Sequence, residues 1–184
     1  MPDESDETIA IKVQNGDSEA FGFLIERYEE RLKRYGRKFL NTREDIEDIV
    51  QEVFIKAYTH IQSFDPEQRF SPWIYRIAHN EFVNELRKKS RQPLAFFDPD
   101  IILPFVISSE TTDGPTEQAE LKKMMEEFLV ELDEKYREPL VLFFYEDLSY
   151  QDISEVLHIP VTTVGVRISR AKDKLKNLYT KKTV

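Results

Sequence analysis

Residues 149–176, SYQDISEVLHIPVTTVGVRISRAKDKLK, limit the possible folds more than any other stretch of the chain. They predict two short helices joined by a tight turn. Ser149 stands where an N-cap belongs, and Asp152 three residues later completes an acidic variant of the capping box. Ile153, Val156 and Leu157 form an apolar stripe at helical spacing, which His158-Ile159-Pro160 interrupts because proline cannot continue a helix. Val161, Val164, Ile168, Ala171, Leu175 and Leu178 then recur three and four apart along one face of a second helix. Its other faces carry Thr162, Thr163, Arg167, Ser169, Arg170, Lys172 and Lys174. A helix buried on one side, with threonines at its start and Arg or Lys along it, has the chemistry of a recognition helix in a major groove. A helical hairpin with a solvated basic face has the same spacing.

The rest of the chain keeps the helical period. The fold class expected is all-α: two small helical domains joined by a flexible linker, the C-terminal one a helix-turn-helix. With 184 residues and no cysteine, disulfides and thiolate zinc sites are excluded, and a reducing, cytoplasmic setting is expected. The opening residues MPDESDET are unlike a signal peptide, and no apolar run reaches membrane-spanning length, so no membrane insertion is expected.

The net charge of −9 is surprising beside a basic helix. It is unevenly placed. Residues 161–184 hold seven Lys and Arg against one Asp, and residues 61–92 hold six against four acids. Between these islands, residues 93–135 hold eleven acids against three lysines. Phosphate neutralisation supplies most non-specific DNA affinity, so such a chain should hold DNA poorly by itself and touch it at two places.

In chain order, the acidic lead-in predicts a helix start near Thr8. Asp17 or Ser18 caps a helix burying Phe21, Leu24, Ile25, Tyr28, Leu32, Tyr35 and Phe39. Thr42 with Asp45 caps the next, DIEDIVQEVFIKAYTHI, with Ile46, Ile49, Val50, Val53 and Ala57 as its core stripe. Asp48, Gln51, Glu52 and Ile55 share another face of it. After a turn region carrying Phe64, Asp65 and Pro66, Ser71-Pro72 marks a helix start with Ser as N-cap and Pro at the first position. That helix holds Trp73 and a basic cluster from Arg87 to Arg91. Its buried side is Ile74, Ile77, Ala78, Phe82 and Leu86, while Asn80, Asn84, Arg87 and Arg91 make a nearly straight polar row. Aromatic, amide and guanidinium groups together suit single-stranded bases; a basic C-terminus complementing the helix dipole is the plainer alternative. Pro93, Pro99, Pro104 and Pro115 mark a linker over 93–115, whose apolar patch 101–107 should pack on something. The helical period returns with Met124, Met125, Phe128, Leu129 and Leu132, followed by Leu140, Leu142, Phe143 and Phe144. The domains expected are 1–92 and 116–184.

These segments, in this order, resemble the extracytoplasmic-function (ECF) group of bacterial RNA polymerase sigma factors, within the sigma-70 family. EDIVQEVFIKAY (47–58) is similar to the family's core-binding helix. FSPWIYRIAHNEFVNELRKKSR (70–91) is similar to its −10 segment, and residues 136–175 to its −35 domain. The resemblance implies a subunit that directs core polymerase to promoters, recognising the −35 element and recognising and melting the −10 element. It implies that Asp48, Gln51, Glu52, Phe54 and Ile55 dock on the clamp of the largest polymerase subunit, with the flap of the second-largest as a further contact. The loop 62–70 would cradle a base flipped from the −10 element, at an unstacking cost of a few kcal/mol. Phe64, Ser71, Trp73, Arg76, Asn80, Asn84, Arg87, Lys88 and Arg91 would serve the −10 element, and Thr162, Thr163, Val166, Arg167, Arg170 and Lys174 the −35 element. The acidic tether would thread toward the active-site cleft. Promoter DNA, core polymerase and an anti-sigma factor are the partners implied. No catalytic residue, cofactor or metal is expected: His60, His79 and His158 lie in different segments, and no Gly-rich phosphate loop occurs.

The sequence departs from the family pattern in places. His158 stands where the family usually has Gly, Gly165 where it often has Lys, and Asn84 where Asp is common. The alternative reading of the residues is a dimeric helix-turn-helix regulator that binds a palindromic operator without polymerase.

Overall fold

The computed structural model describes residues 4–37, 39–40, 42–91 and 132–183, and every regular element among them is a helix. Helix α1 (Asp6–Gln14) starts two residues earlier than Thr8, because the Ser5 hydroxyl caps it by accepting the Thr8 N–H at 3.2 Å. Asp17 caps a short 3₁₀ turn (Ser18–Ala20), accepting from Ala20 N–H at 3.2 Å, and this turn leads into α2 (Phe21–Gly36). Helix α3 (Arg43–Thr59) begins at the expected cap, where Thr42 Oγ1 accepts from Asp45 N–H at 3.3 Å. A second 3₁₀ turn (Ile61–Ser63) and a loop lead to α4 (Phe70–Arg91).

The chain divides into two compact units, the first carrying α1 to α4 and the second the bulk of the later helices. In the first, α2, α3 and α4 pack together and α1 lies against α2 and α4. The core is aromatic. Tyr35 meets Tyr75 edge-on at 5.3 Å, Phe39 stacks on Phe82 at 5.4 Å, and Tyr28 meets Phe70 at 5.5 Å. Each such pair adds about 0.5–1.5 kcal/mol beyond its buried area. Gly36 allows the closest approach. A Cβ there would fall 2.4 Å from the Phe82 ring, so no larger residue fits without moving α4. Tyr28 donates to Asp6 Oδ2 at 2.5 Å, and Arg27 holds the other carboxylate oxygen at 2.6 Å. Burial, with the Asp6 hydrogen bond and charge behind it, pushes the Tyr28 phenol well above its ordinary range.

The second unit contains α5 (Glu134–Phe144), α6 (Tyr150–Leu157) and α7 (Val161–Thr183), with α5 packed on α7. Its core includes Leu132, Leu140, Leu142, Leu148, Ile153, Val156, Val164, Ile168 and Ala171. The apolar stripes run past the core at several positions. Leu86 is exposed, Ile25 and Ile49 are half-buried, and Phe144, expected inside, is 57% exposed. Residues 93–115 and 116–131, with the patch 101–107 and Met124, Met125, Phe128 and Leu129, lie outside the described residues.

Candidate nucleic-acid interface

Three surfaces carry the residues singled out by sequence. The first is the outer face of α3. Asp48 and Gln51 are exposed, Glu52 is half-exposed, and Ile55 is 59% exposed, so four of the five docking candidates share one accessible face. Phe54 differs. It is 7% exposed and meets the Phe21 ring edge-on at 6.4 Å, which makes it a wall rather than a protruding contact. That wall borders a groove of about 510 Å³ between α2 and α3, with Ile25, Val50, Phe54 and Ile55 as apolar lining and Glu29, Lys33, Glu47 and Gln51 beside them. Lys33 is held by Glu29 at 2.7 Å and Glu30 at 3.0 Å, and the Glu29 hydrogen bond, with the charges of both carboxylates, raises its ammonium above the usual value. The groove can accept an apolar side chain while its rim meets charge.

The second surface is the loop after α3 together with α4. Asp65 shapes the loop: its Oδ1 accepts the Glu67 N–H at 3.0 Å and its carbonyl accepts the Gln68 N–H at 2.9 Å, a turn with Pro66 at the favoured position. Glu67, Gln68 and Arg69 are exposed at its tip. Phe64 is not. It is 3% exposed, 5.4 Å from both Phe70 and Trp73, so it supports the loop from beneath. Ser71 does not act as the N-cap. The helix begins at Phe70, whose N–H is accepted by Glu7 Oε1 at 3.0 Å, and Ser71 is 7% exposed inside the first turn. The remaining candidates do share a face. Trp73 is half-buried on Phe64 and Phe70, and Arg76, Asn80, Asn84, Arg87 and Lys88 are exposed along the same helix. Lys88 pairs with Glu85 at 3.2 Å. The Arg91 side chain lies outside the described residues. The row thus runs from an aromatic plate past Arg76 and two amides to a pair of cations, over about four helical turns.

The third surface is the start of α7. The capping box forms reciprocally, with Asp152 N–H donating to Ser149 Oγ at 3.1 Å and Ser149 N–H donating to Asp152 Oδ2 at 2.8 Å. His158 has φ 52°, the left-handed conformation that family glycines supply, and Ile159 N–H returns to the Ser154 carbonyl at 3.2 Å in a Schellman closure. Ser154 Oγ also donates to the Ile159 carbonyl at 2.6 Å. Pro160 accepts from Thr163 N–H at 2.8 Å and so opens α7. Thr162, Val166 and Arg170 are exposed, with Thr163 and Arg167 half-exposed beside them, opposite buried Val164, Ile168 and Ala171.

One group here escaped the sequence reading. Lys174 pairs with Asp133 at 3.2 Å and sits 4.6 Å above the Tyr136 ring, which Lys135 also approaches at 5.1 Å. Arg170 donates to the Tyr136 hydroxyl, and this hydrogen bond with the surrounding cations lowers the phenol below its usual value. Tyr136 is 34 residues from Arg170 in sequence, so no local pattern connects them. Among the described residues no group of His, Asp or Glu side chains is arranged to hold a metal ion, and no helix is long and apolar enough to cross a membrane.

Comparison with known proteins places two families on the chain. Residues 24–92 match the family described as Sigma-70 region 2, and residues 122–175 the family described as Sigma-70, region 4. The ECF RNA polymerase sigma factor SigW of Bacillus subtilis (strain 168) is 32% identical over 173 residues, covering 90% of this chain and 91% of that protein. The ECF RNA polymerase sigma-E factor of Haemophilus influenzae (strain ATCC 51907 / DSM 11121 / KW20 / Rd) is 34% identical over 182 residues, 94% of each chain. Among solved structures, CnrH in complex with the cytosolic domain of CnrY is similar with a TM-score of 0.67 at 26% identity, covering 97% of this chain and 99% of that one.

Proposed function

Because the chain belongs to the ECF sigma factors, the subunits that direct RNA polymerase to promoters, we propose a division of that task among the three surfaces. The outer face of α3, with Asp48, Gln51, Glu52 and Ile55 around the α2–α3 groove, docks on the clamp of the largest polymerase subunit. Phe54 shapes that groove from within. The loop 62–70 and the α4 row Trp73, Arg76, Asn80, Asn84, Arg87, Lys88 and Arg91 receive the melted −10 strand. Phe64 and Ser71 support this surface from beneath without touching DNA. Thr162, Thr163 and Val166 read base edges of the −35 element, Arg167 reaches toward them, and Arg170 and Lys174 grip phosphates.

The observation that carries this reading is the α4 row. A half-buried aromatic plate (Trp73), two exposed amides (Asn80 and Asn84) and three exposed cations (Arg76, Arg87 and Lys88) lie along one helix face, the set of groups that stacks, hydrogen-bonds and neutralises a single strand. The chain works in the cytoplasm and by binding alone. CnrH was captured with the cytosolic domain of CnrY, and a protein partner, an anti-sigma factor, is proposed for this chain.

Run-off transcription with core polymerase over a promoter library tests the division. Arg167→Ala should weaken −35-dependent initiation while polymerase binding survives. Asp48→Lys with Gln51→Lys should abolish holoenzyme assembly. Normal assembly of that double variant would refute the docking face.

A further inference from the structure

The loop between α3 and α4 is fastened at both ends by one short helix, α1. At the near end the Gln14 side-chain amide donates two hydrogen bonds, to the Ile61 carbonyl at 2.7 Å and the Phe64 carbonyl at 2.8 Å. Gln62 answers, its own amide donating to the Gln14 carbonyl at 2.8 Å. At the far end the Glu7 carboxylate accepts the Phe70 N–H at 3.0 Å. Glu7 and Gln14 are seven residues apart, two turns along one face of α1, which makes the helix a ruler of about 10 Å between the loop's two attachment points. A solvent-exposed loop has little reason to be held so closely unless its shape is used. All four bonds end on a backbone group, three of them in the loop and its flanks, and the half-buried amide of Gln14 satisfies both of its donors on two of these.

We infer that Gln14 and Glu7 are positioning residues for recognition of the −10 strand: they hold loop 62–70 in the shape that receives an unstacked base, without touching DNA themselves. This rests on the reading of the loop and α4 given above. Trp73, the chain's single tryptophan, lies 5.4 Å from Phe64 and so reports on the loop.

The test uses holoenzyme assembled from the full chain and core polymerase. A single-stranded DNA pool with a randomised window supplies the strand that wild-type holoenzyme selects. Binding of that strand is then measured for Gln14→Leu, which keeps size and removes both donors, for Glu7→Ala, and for Glu7→Gln, which keeps an acceptor. Gln14→Leu and Glu7→Ala should each weaken strand binding about tenfold, relax the selected base preference, and shift Trp73 emission to the red. Glu7→Gln should bind within about twofold of wild type, and core-polymerase affinity should stay unchanged throughout. Wild-type strand affinity and preference in Gln14→Leu would overturn the inference. So would a loss of core binding in parallel with strand binding, which would make α1 a general stabiliser. A loop-tip control, Gln68→Ala with Arg69→Ala, should weaken strand binding too; if it does not, the reading of the loop itself fails, and the inference falls with it.

Discussion

Two glycines on helices show how differently a single residue type can be constrained. A Cβ at Gly36 would meet two Phe82 ring atoms at 2.4 and 2.6 Å and Ile46 at 3.0 Å. Phe82 is fully buried and stacked on Phe39, so its ring cannot swing away. Gly36→Ala should cost about 1–3 kcal/mol, measured by urea unfolding of the full chain. A Cβ at Gly165 would meet Tyr150 at 3.6 Å, an ordinary contact, and its backbone is not left-handed. Gly165→Ala should therefore stabilise α7 by about 0.5–1 kcal/mol, seen as slower amide exchange along that helix. Faster exchange would mean the helix needs its glycine. Gly165 stood out as a departure from the family pattern, which often has Lys there, but Gly36 sits at a helix end where glycine is unremarkable. Only the packing of α4 shows its necessity. His158 was legible through the resemblance: it stands where the family usually has Gly, and its φ of 52° is the left-handed conformation such a glycine supplies.

At the scale of elements, α4 is tied to α3 at both flanks, by Lys56 to Glu81 at 2.6 Å and by Lys89 to Asp45. The Lys89 hydrogen bond, then that of Thr42, lowers the Asp45 carboxyl below the ordinary carboxylate range. A depressed acid stabilises the folded state above its unfolded value, near 3.9, and that contribution is lost as pH falls through the lower folded value. Asp45→Asn should therefore reduce stability at neutral pH and flatten its decline between about pH 5 and pH 2, as read from urea midpoints across that range. An unchanged slope would show that the pair carries no pH-dependent stability. The cap at Thr42, like the box at Ser149 and Asp152, could be read in advance because its partners lie three residues apart. The start of α4 could not. Ser71-Pro72 has the local signature of a cap, yet the Phe70 N–H goes to Glu7, 63 residues away, and a tertiary acceptor displaces the local one. Phe54 and Phe64 were misplaced for a related reason. Helical spacing says which residues share a face, but burial depends on which neighbour covers it, and here Phe21 and Phe70 do. Phe144 is the reverse case, left outside with Lys172 5.1 Å above its ring.

For the whole molecule, the distribution of charge matters more than its total. The chain carries −9 overall, yet its basic residues collect on the C-terminal half of α4 and along α7, the two surfaces proposed for DNA. Parts of those surfaces are already occupied internally: Lys174 by Asp133, Arg170 by Tyr136, Lys88 by Glu85. The eleven acids of residues 93–135 add a field that opposes phosphate approach wherever this stretch lies within a Debye length, about 10 Å at 0.1 M salt. The weak DNA binding expected of the free chain would then come from this acidic stretch as much as from the two helical surfaces. Neutralising Glu110, Asp113, Glu117 and Glu120 to their amides should raise the free chain's affinity for random duplex DNA several-fold at about 50 mM salt, by fluorescence anisotropy, and the gain should shrink as salt screens the field. Affinity unchanged at low salt would place the restraint in the internal pairs, and Asp133→Asn would then release the Lys174 share of it.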